Sequence, residues 1–305
     1  TQSSKFLENL KSWNLYTSPG EQKIFSKMDV ASVKMNELYN LKYGLRTGNN
    51  NKYLTSDVSR SENKVKIARG SNIENYYFNW EPEYLTTQEG LPTSYFEEIV
   101  LKKPKIIIQY VRTNSTAIDS CWLDATLIEE PNYVPLNSTS FIYSKSDNFQ
   151  LKYLLCLISS KLMNYYYKGH YTDVNVKPLY LSKLPIISAN QKIQDKFVEK
   201  AKLMLSKNKY FYKTTQRFIS YIISNFSLNN VSAKLKNFYT LEFGDFIVEL
   251  NKVIKKGAGV KLTKIDEIEW MDVFEAKKEE AQILKTEIEK TNREIDQMVY
   301  ELYGL

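Results

Sequence analysis

Lys105-Ile106-Ile107-Ile108-Gln109-Tyr110-Val111, preceded by Pro104, is the stretch that decides the fold. Branched side chains fit a pleated, half-buried surface, so the run reads as a strand. Phe141-Ile142-Tyr143 is a shorter run of the same kind. Gly44, Gly48, Gly70 and Gly90 punctuate the surroundings as turns. Residues 41–190 are therefore expected to be strand-rich. Leu151–Tyr167 breaks that pattern, because Leu151, Leu154, Leu155, Ile158, Leu162 and Met163 share one helical face. Upstream, Ser18-Pro19-Gly20-Glu21 reads as a helix start. Ser18 can cap, Pro19 suits the first helical position, and Glu21 can reach back to close a capping box. That short helix would run through Ile24, Phe25 and Met28.

After Pro185 the pattern turns helical. Ile193–Leu205 has apolar residues at 193, 197, 201, 204 and 205, and Phe218–Phe226 and Phe238–Ile254 continue the theme. Gly257-Ala258-Gly259 reads as a loop. From Phe274 a heptad emerges, with Phe274, Ala281, Ile288, Ile295 and Leu302 at one position and Leu284 and Met298 at the other. It resembles a coiled-coil seam or an antiparallel helix hairpin. An amphipathic helix lying on its own domain gives the same pattern. The expected fold class is α+β: a strand-rich domain over 1–186, then a helical domain over 187–305 that ends in a long heptad-patterned helix.

A chain of 305 residues is comfortable for two domains, and 43% hydrophobic residues supply a sizeable core. Charged residues at 25% argue against disorder as the main description. The net charge of +7 and pI of about 9.0 favour a polyanionic partner, mildly. The distribution of charge says more. Residues 42–69 hold seven basic residues against two acids, and residues 192–236 hold ten against two. Residues 262–305 reverse the balance, with six against twelve, so that end is a poor candidate for touching phosphate. Cys121 and Cys156 lie far apart without a CxxC partner. No disulfide framework is implied, and a reducing, cytosolic setting is the simpler reading. No apolar run reaches membrane-spanning length, and no signal-peptide pattern opens the chain. A first residue of Thr1 rather than Met reads as a fragment of a longer polypeptide.

Catalytic patterns are missing. An adenine methyltransferase needs an Asn/Asp/Ser-Pro-Pro-Tyr/Phe loop to hold the amino group of a flipped-out base, and Pro131-Asn132-Tyr133 is not one. Gly257-Ala258-Gly259 lies between helical segments instead of after a strand, which is the wrong place for a cofactor loop. Glu97, Glu98 and Lys102 have the residue types of a metal-dependent nuclease, but 35 acids in the chain make such coincidences ordinary. His170 is the only histidine, so a zinc site would need long-range convergence with both cysteines. No G-x-S-x-G elbow accompanies it. His170 reads as a polar loop residue or as a nucleic-acid contact. No catalytic residue and no metal ligand is expected.

Binding chemistry is present. Leu45-Arg46-Thr47-Gly48-Asn49-Asn50-Asn51-Lys52-Tyr53 gathers hydrogen-bonding groups on a glycine turn. Arg46 can grip guanine with two bonds, Asn49 and Asn50 can grip adenine, and Thr47 and Lys52 suit phosphate. The same residues would also make a solvated turn, with asparagines in left-handed conformations. Gln109, Arg112, Thr113 and Asn114 follow the strongest strand, where a loop is held rigidly against a partner, or is simply a polar hairpin. Tyr165-Tyr166-Tyr167-Lys168-Gly169-His170-Tyr171 interleaves rings and bases in the manner of a nucleic-acid surface. With 23 tyrosines in the chain, several of these rings must be core.

These motifs resemble a known family. Tyr43–Tyr53 is similar to the glycine–threonine–glycine–asparagine segment of TaqI-type C-terminal specificity domains, with Tyr53 at the aromatic position. Arg69-Gly70-Ser71-Asn72-Ile73 with Tyr76-Tyr77 resembles the next block, and Lys103-Pro104-Lys105-Ile106-Ile107 with Asp119 downstream resembles the third. Leu157–Tyr167 looks like the family's Leu-Asn-Ser-Lys-Leu helix, with Cys156 and Ile158-Ser159 in place of commoner residues. Phe243-Gly244-Asp245-Phe246, Glu269-Trp270-Met271 and the ending Glu294–Leu305 resemble the tail of type IIG restriction–modification polypeptides. The resemblance implies an upstream domain that binds S-adenosylmethionine and methylates adenine N6, and in some members a nuclease domain, with Mg2+, further upstream. The part that resembles this chain selects the DNA sequence. The shared blocks mark scaffold more than base readers, so no recognition residue carries over.

The expectation is thus a target-recognition module for double-stranded DNA, cytoplasmic in a bacterium, with no cofactor of its own and no membrane partner. Its expected DNA contacts are Arg46, Thr47, Asn49, Asn50, Lys52, Arg69, Arg112, Asn114, Lys168 and His170. Two other readings stand beside it: a helical scaffold supported by the acidic heptad helix, and a stand-alone hydrolase around Glu97 and Glu98.

Overall fold

The computed structural model of the protein describes residues 18–111, 123–171, 173–257 and 261–305. It is α+β, and its contacts divide it into two compact units, Thr1–Lys202 with Arg293–Leu305, and Leu203–Asn292.

The first unit opens with helix α1 (Pro19–Val30), which starts as its sequence foretells. The Ser18 hydroxyl accepts from the Glu21 amide at 3.3 Å, and the Glu21 carboxylate accepts from the Ser18 amide at 2.6 Å. Its strands are β1 (Val33–Lys34), β2 (Tyr39–Tyr43), β3 (Leu54–Thr55), β4 (Lys66–Ala68), β5 (Ile73–Glu74), β6 (Tyr77–Phe78), β7 (Tyr84–Leu85), β8 (Lys105–Gln109), β9 (Ala125–Ile128), β10 (Tyr133–Pro135), β11 (Thr139–Ser144) and β12 (Pro185–Ile186). One four-stranded sheet runs β2-β11-β8-β9 and is antiparallel throughout; the other runs β10-β4-β7-β3, with β10 parallel to β4. The pairs β1–β12 and β5–β6 complete the strands. One core cluster gathers Leu45, Tyr53, Ile67, Leu85, Val134 and Leu136; another gathers Ala68, Ile107, Ile128, Tyr133, Phe141 and Tyr143.

Because β2 and β8 both pair antiparallel with β11, they run the same way. The chain therefore leaves both strands at one end of the sheet, beside Thr139 and Ser140. Two of the four expected turn glycines serve this end in another way. A Cβ on Gly44 would lie 1.8 Å from the Leu136 carbonyl oxygen, and one on Gly70 would lie 2.3 Å from that of Ser138. These glycines admit a close backbone approach, while Gly48 (φ +72°) and Gly90 (φ +80°) take left-handed turns as expected.

The apolar run from Leu151 is two helices, α2 (Leu151–Ser159) and α3 (Lys161–His170), where its periodicity reads as one. Ser160 is extended (φ −72°, ψ 152°) and its hydroxyl caps α3 by accepting from the Met163 amide. Buried Asn164 satisfies the break, donating to the carbonyls of Ile158 and Ser160 and accepting from the Leu123 amide. Helix α2 buries Tyr153 through Ile158 consecutively, as a helix with apolar residues all round must.

Helix α4 (Gln191–Asn225) begins in the first unit and continues into the second, which also holds α5 (Phe243–Gly257). Helix α6 (Lys264–Leu302) runs from the second unit back into the first. In the second unit α4 and α6 are antiparallel: Lys207 meets Glu287, and seven residues on, Thr214 meets Glu280, seven residues back. Phe218, Phe238, Phe246 and Phe274 pack edge-on and stacked at its centre. Phe274, Ala281, Ile288 and Ile295 are buried as the heptad requires. Leu284 and Met298 are only partly covered, and the second buried row is Thr291, Val299 and Tyr303. An α-helix has 3.6 residues per turn, so its buried stripe drifts away from a strict heptad.

Candidate functional site

Residues 46–52 leave the end of β2 and form one wall of an open cleft of ≈ 570 Å³ lined by Arg46, Thr47, Gly48, Asn49, Asn50, Asn51 and Asn137. The loop is fixed at both ends. Leu45 is fully buried; its amide donates to Pro135 O at 2.7 Å and its carbonyl accepts from Asn137 N at 3.0 Å. At the far end Tyr53 is buried, its carbonyl accepts from Thr86 N at 2.9 Å, and the Lys52 carbonyl accepts from the Thr86 hydroxyl at 2.8 Å. Between these anchors Arg46 and Gly48–Lys52 are exposed.

Inside the loop the hydrogen bonds sort the expected readers. Asn49 caps the single turn Asn50–Tyr53, its side-chain oxygen accepting from the Lys52 amide at 3.1 Å. The Thr47 hydroxyl donates to the Asn50 side-chain oxygen at 2.6 Å. The Lys52 ammonium lies 4.7 Å over the Tyr53 ring. Arg46 has no carboxylate partner among the described residues, and its charge bears on the Tyr95 phenol. That phenol is held by the Tyr43 carbonyl at 2.9 Å, and Lys42 reaches across to Ser94 O at 3.0 Å. Arg46 thus projects from a braced base.

The segment after β8 leaves from the same end of the sheet. Tyr110 donates its amide to Ser138 O at 2.9 Å, next to cleft residue Asn137. Arg112 and Asn114 lie outside the described residues, as do Cys121 and Asp119.

The remaining expected contacts are engaged within the chain. Arg69 directs both Nε and Nη2 at Glu83, at 2.6 and 2.7 Å. That bidentate pairing spends on a carboxylate the fork a guanine would need. His170 ends helix α3 and does not sit in a loop. Its ring stacks on Tyr166 at 4.0 Å and lies 4.8 Å from Phe25, and its Nδ1 meets Tyr166 O at 2.9 Å. Burial lowers its pKa, over the opposing effect of that carbonyl. Tyr165 and Tyr166 turn their phenols to Glu21 and Asp29 of α1, so the aromatic-rich run is largely an internal seam against that helix. Lys168 is exposed on the same helix.

The other chemical candidates resolve plainly. Glu98 pairs with Lys102 one helical turn on, in an exposed ion pair. No group of three or more metal-ligating side chains occurs among the described residues. Cys156 is buried, and burial pushes its thiol up to about 12. Among the described residues no helix is long and apolar enough to cross a membrane. Asn137 is the cleft residue the sequence did not single out. It is an ordinary turn asparagine, brought to the site by a parallel bridge between Leu45 and Leu136 that no local pattern announces.

Residues 65–186 match the model of a TaqI-like C-terminal specificity domain. Residues 190–299 match a second model, a domain of unknown function designated DUF8810. No curated protein matches the chain. The first match begins after the 46–52 loop, but the residues that hold the loop, Pro135 to Asn137, fall inside it.

Proposed function

We propose, from the premise that residues 65–186 form a TaqI-like C-terminal specificity domain, that this chain reads the sequence of double-stranded DNA for a bacterial restriction–modification enzyme. The observation that carries the reading is the braced, exposed Arg46, unpaired with any described carboxylate, in an asparagine-lined cleft built on that domain's own turn. Arginine with a free fork is the commonest reader of guanine in the major groove.

The finer assignment is a type IIG-like polypeptide whose upstream domain binds S-adenosylmethionine and methylates adenine N6, with or without an Mg2+-dependent nuclease. Catalysis and its cofactors belong to those upstream parts; this chain supplies selection. The functional boundary falls near residue 187, and the helices beyond it set the spacing to the catalytic domain. The setting is the bacterial cytoplasm.

The test is selection from a pool of random duplexes over a range of salt. Enrichment of one short motif is expected. Arg46→Ala should relax one position of it by about 1–3 kcal/mol. Equal weakening on all sequences would make Arg46 a phosphate contact, and no binding even at low salt would favour a protein-interaction scaffold instead.

A further inference from the structure

Four asparagines line the cleft, and their bonding separates them. Two hydrogen bonds to one adenine, at N6 and N7, require both the oxygen and the nitrogen of an asparagine amide. The Asn49 oxygen is engaged by the Lys52 amide, and the Asn50 oxygen by the Thr47 hydroxyl. Asn51 and Asn137 keep both amide atoms uncommitted among the described residues. Asn51 stands on a single helical turn. Asn137 stands on a firmer frame. Its own amide donates to Leu45 O at 3.0 Å, and that of Leu136, 1% exposed, donates to Ala68 O at 2.8 Å. A reader gives sharp discrimination only where its backbone is fixed.

We infer that Asn137 is a second base reader, which takes an adenine next to the base taken by Arg46. This rests on the reading of the chain as a duplex-recognition module. Leu45 and Leu136 form a parallel bridge, so the residues that follow them, Arg46 and Asn137, leave from adjacent backbones. Bridged strands lie about 4.8 Å apart, and successive bases of one DNA strand are separated by about 3.4 Å. The two side chains therefore start close enough together for their flexible ends to reach neighbouring base pairs. Asn49, which has the same side chain, is a framework residue of the loop.

The experiment is the duplex selection with the whole chain, comparing wild type with Asn137→Ala, Asn137→Asp, Asn49→Ala and Arg46→Ala. Thermal unfolding of each variant reports on its fold. Asn137→Ala and Asn137→Asp should unfold as wild type does, because only an exposed side chain changes. Each should lose preference for adenine at one position by about 5- to 100-fold, next to the position relaxed by Arg46→Ala, with non-specific binding of the alanine variant unchanged. Asn49→Ala should weaken binding without relaxing a single position. A wild-type motif that survives both Asn137 variants overturns the inference and leaves the duplex-reading function standing. Uniform weakening in Asn137→Ala overturns it too, by making Asn137 a backbone contact. A wild type that enriches no motif removes both.

Discussion

Lys105 opens β8, with its side chain fully buried, opposite Ile128 in the sheet. By strand alternation it shares a face with Ile107, a member of the second core cluster. Its ammonium has no hydrogen-bond partner among the described residues, and burial pushes its pKa from 10.5 down to about 8. Below about pH 8 the amine is charged in both folded and unfolded chains, but only the folded chain holds it out of water. The gap between 10.5 and about 8, at about 1.36 kcal/mol per pH unit, corresponds to roughly 3 kcal/mol of destabilisation at pH 7. The penalty shrinks as pH rises from about 8 towards 10.5 and is gone above. Lys105→Met keeps the length of the stem and removes the charge. It should raise stability by roughly 3 kcal/mol at pH 7, which is about 1 M or more in urea midpoint for a slope of 1–3 kcal/mol/M. At pH 10 most of that gain should vanish. Urea unfolding at both pH values decides: an unchanged midpoint at pH 7, or the same gain at both, refutes the reasoning.

Gly44→Ala should destabilise by about 2–4 kcal/mol, read as a lowered melting temperature, because the Cβ has to displace the Leu136 carbonyl and strain three backbone hydrogen bonds around Leu45. His170 has a pKa below its ordinary 6.5, so folding disfavours its proton and the stability it permits declines as pH falls through 6.5. His170→Gln should flatten that acid limb in unfolding measured between pH 7 and 5, and an unaltered slope would assign the limb to other groups.

Local chemistry made part of the structure legible. The Ser18–Glu21 capping box, the β8 run and the helical stripe from Phe274 each rest on residues close in sequence, and each is found. The break at Ser160 was hidden because the apolar period continues across it; what makes it is a serine cap and the distant Asn164 and Leu123. Gly44 and Gly70 read as turns because a glycine's need for room looks the same in sequence as its need for positive φ. At the candidate site the loop 46–52 was visible from composition. The division of labour within it was not, since it depends on which amide oxygen is already bonded, and Asn137 arrives through a pairing of residues 91 positions apart.

The two anchors of that loop, Leu45 and Tyr53, have a consequence for how such a module changes over generations. They are held by their own backbone groups and by burial in the core, with little help from the side chains between them. Exposed substitutions away from special contacts usually alter stability by within about 0.5 kcal/mol. Most of the interval can therefore vary while the scaffold folds as before; the main constraints inside it are Gly48, whose φ of +72° disfavours any other residue, and Asn49, a cap worth about 1 kcal/mol. Inheritance of the frame and divergence of what it discriminates are separable here, so a new preference can arise by exchanging a few exposed side chains in a protein that remains equally foldable at every step.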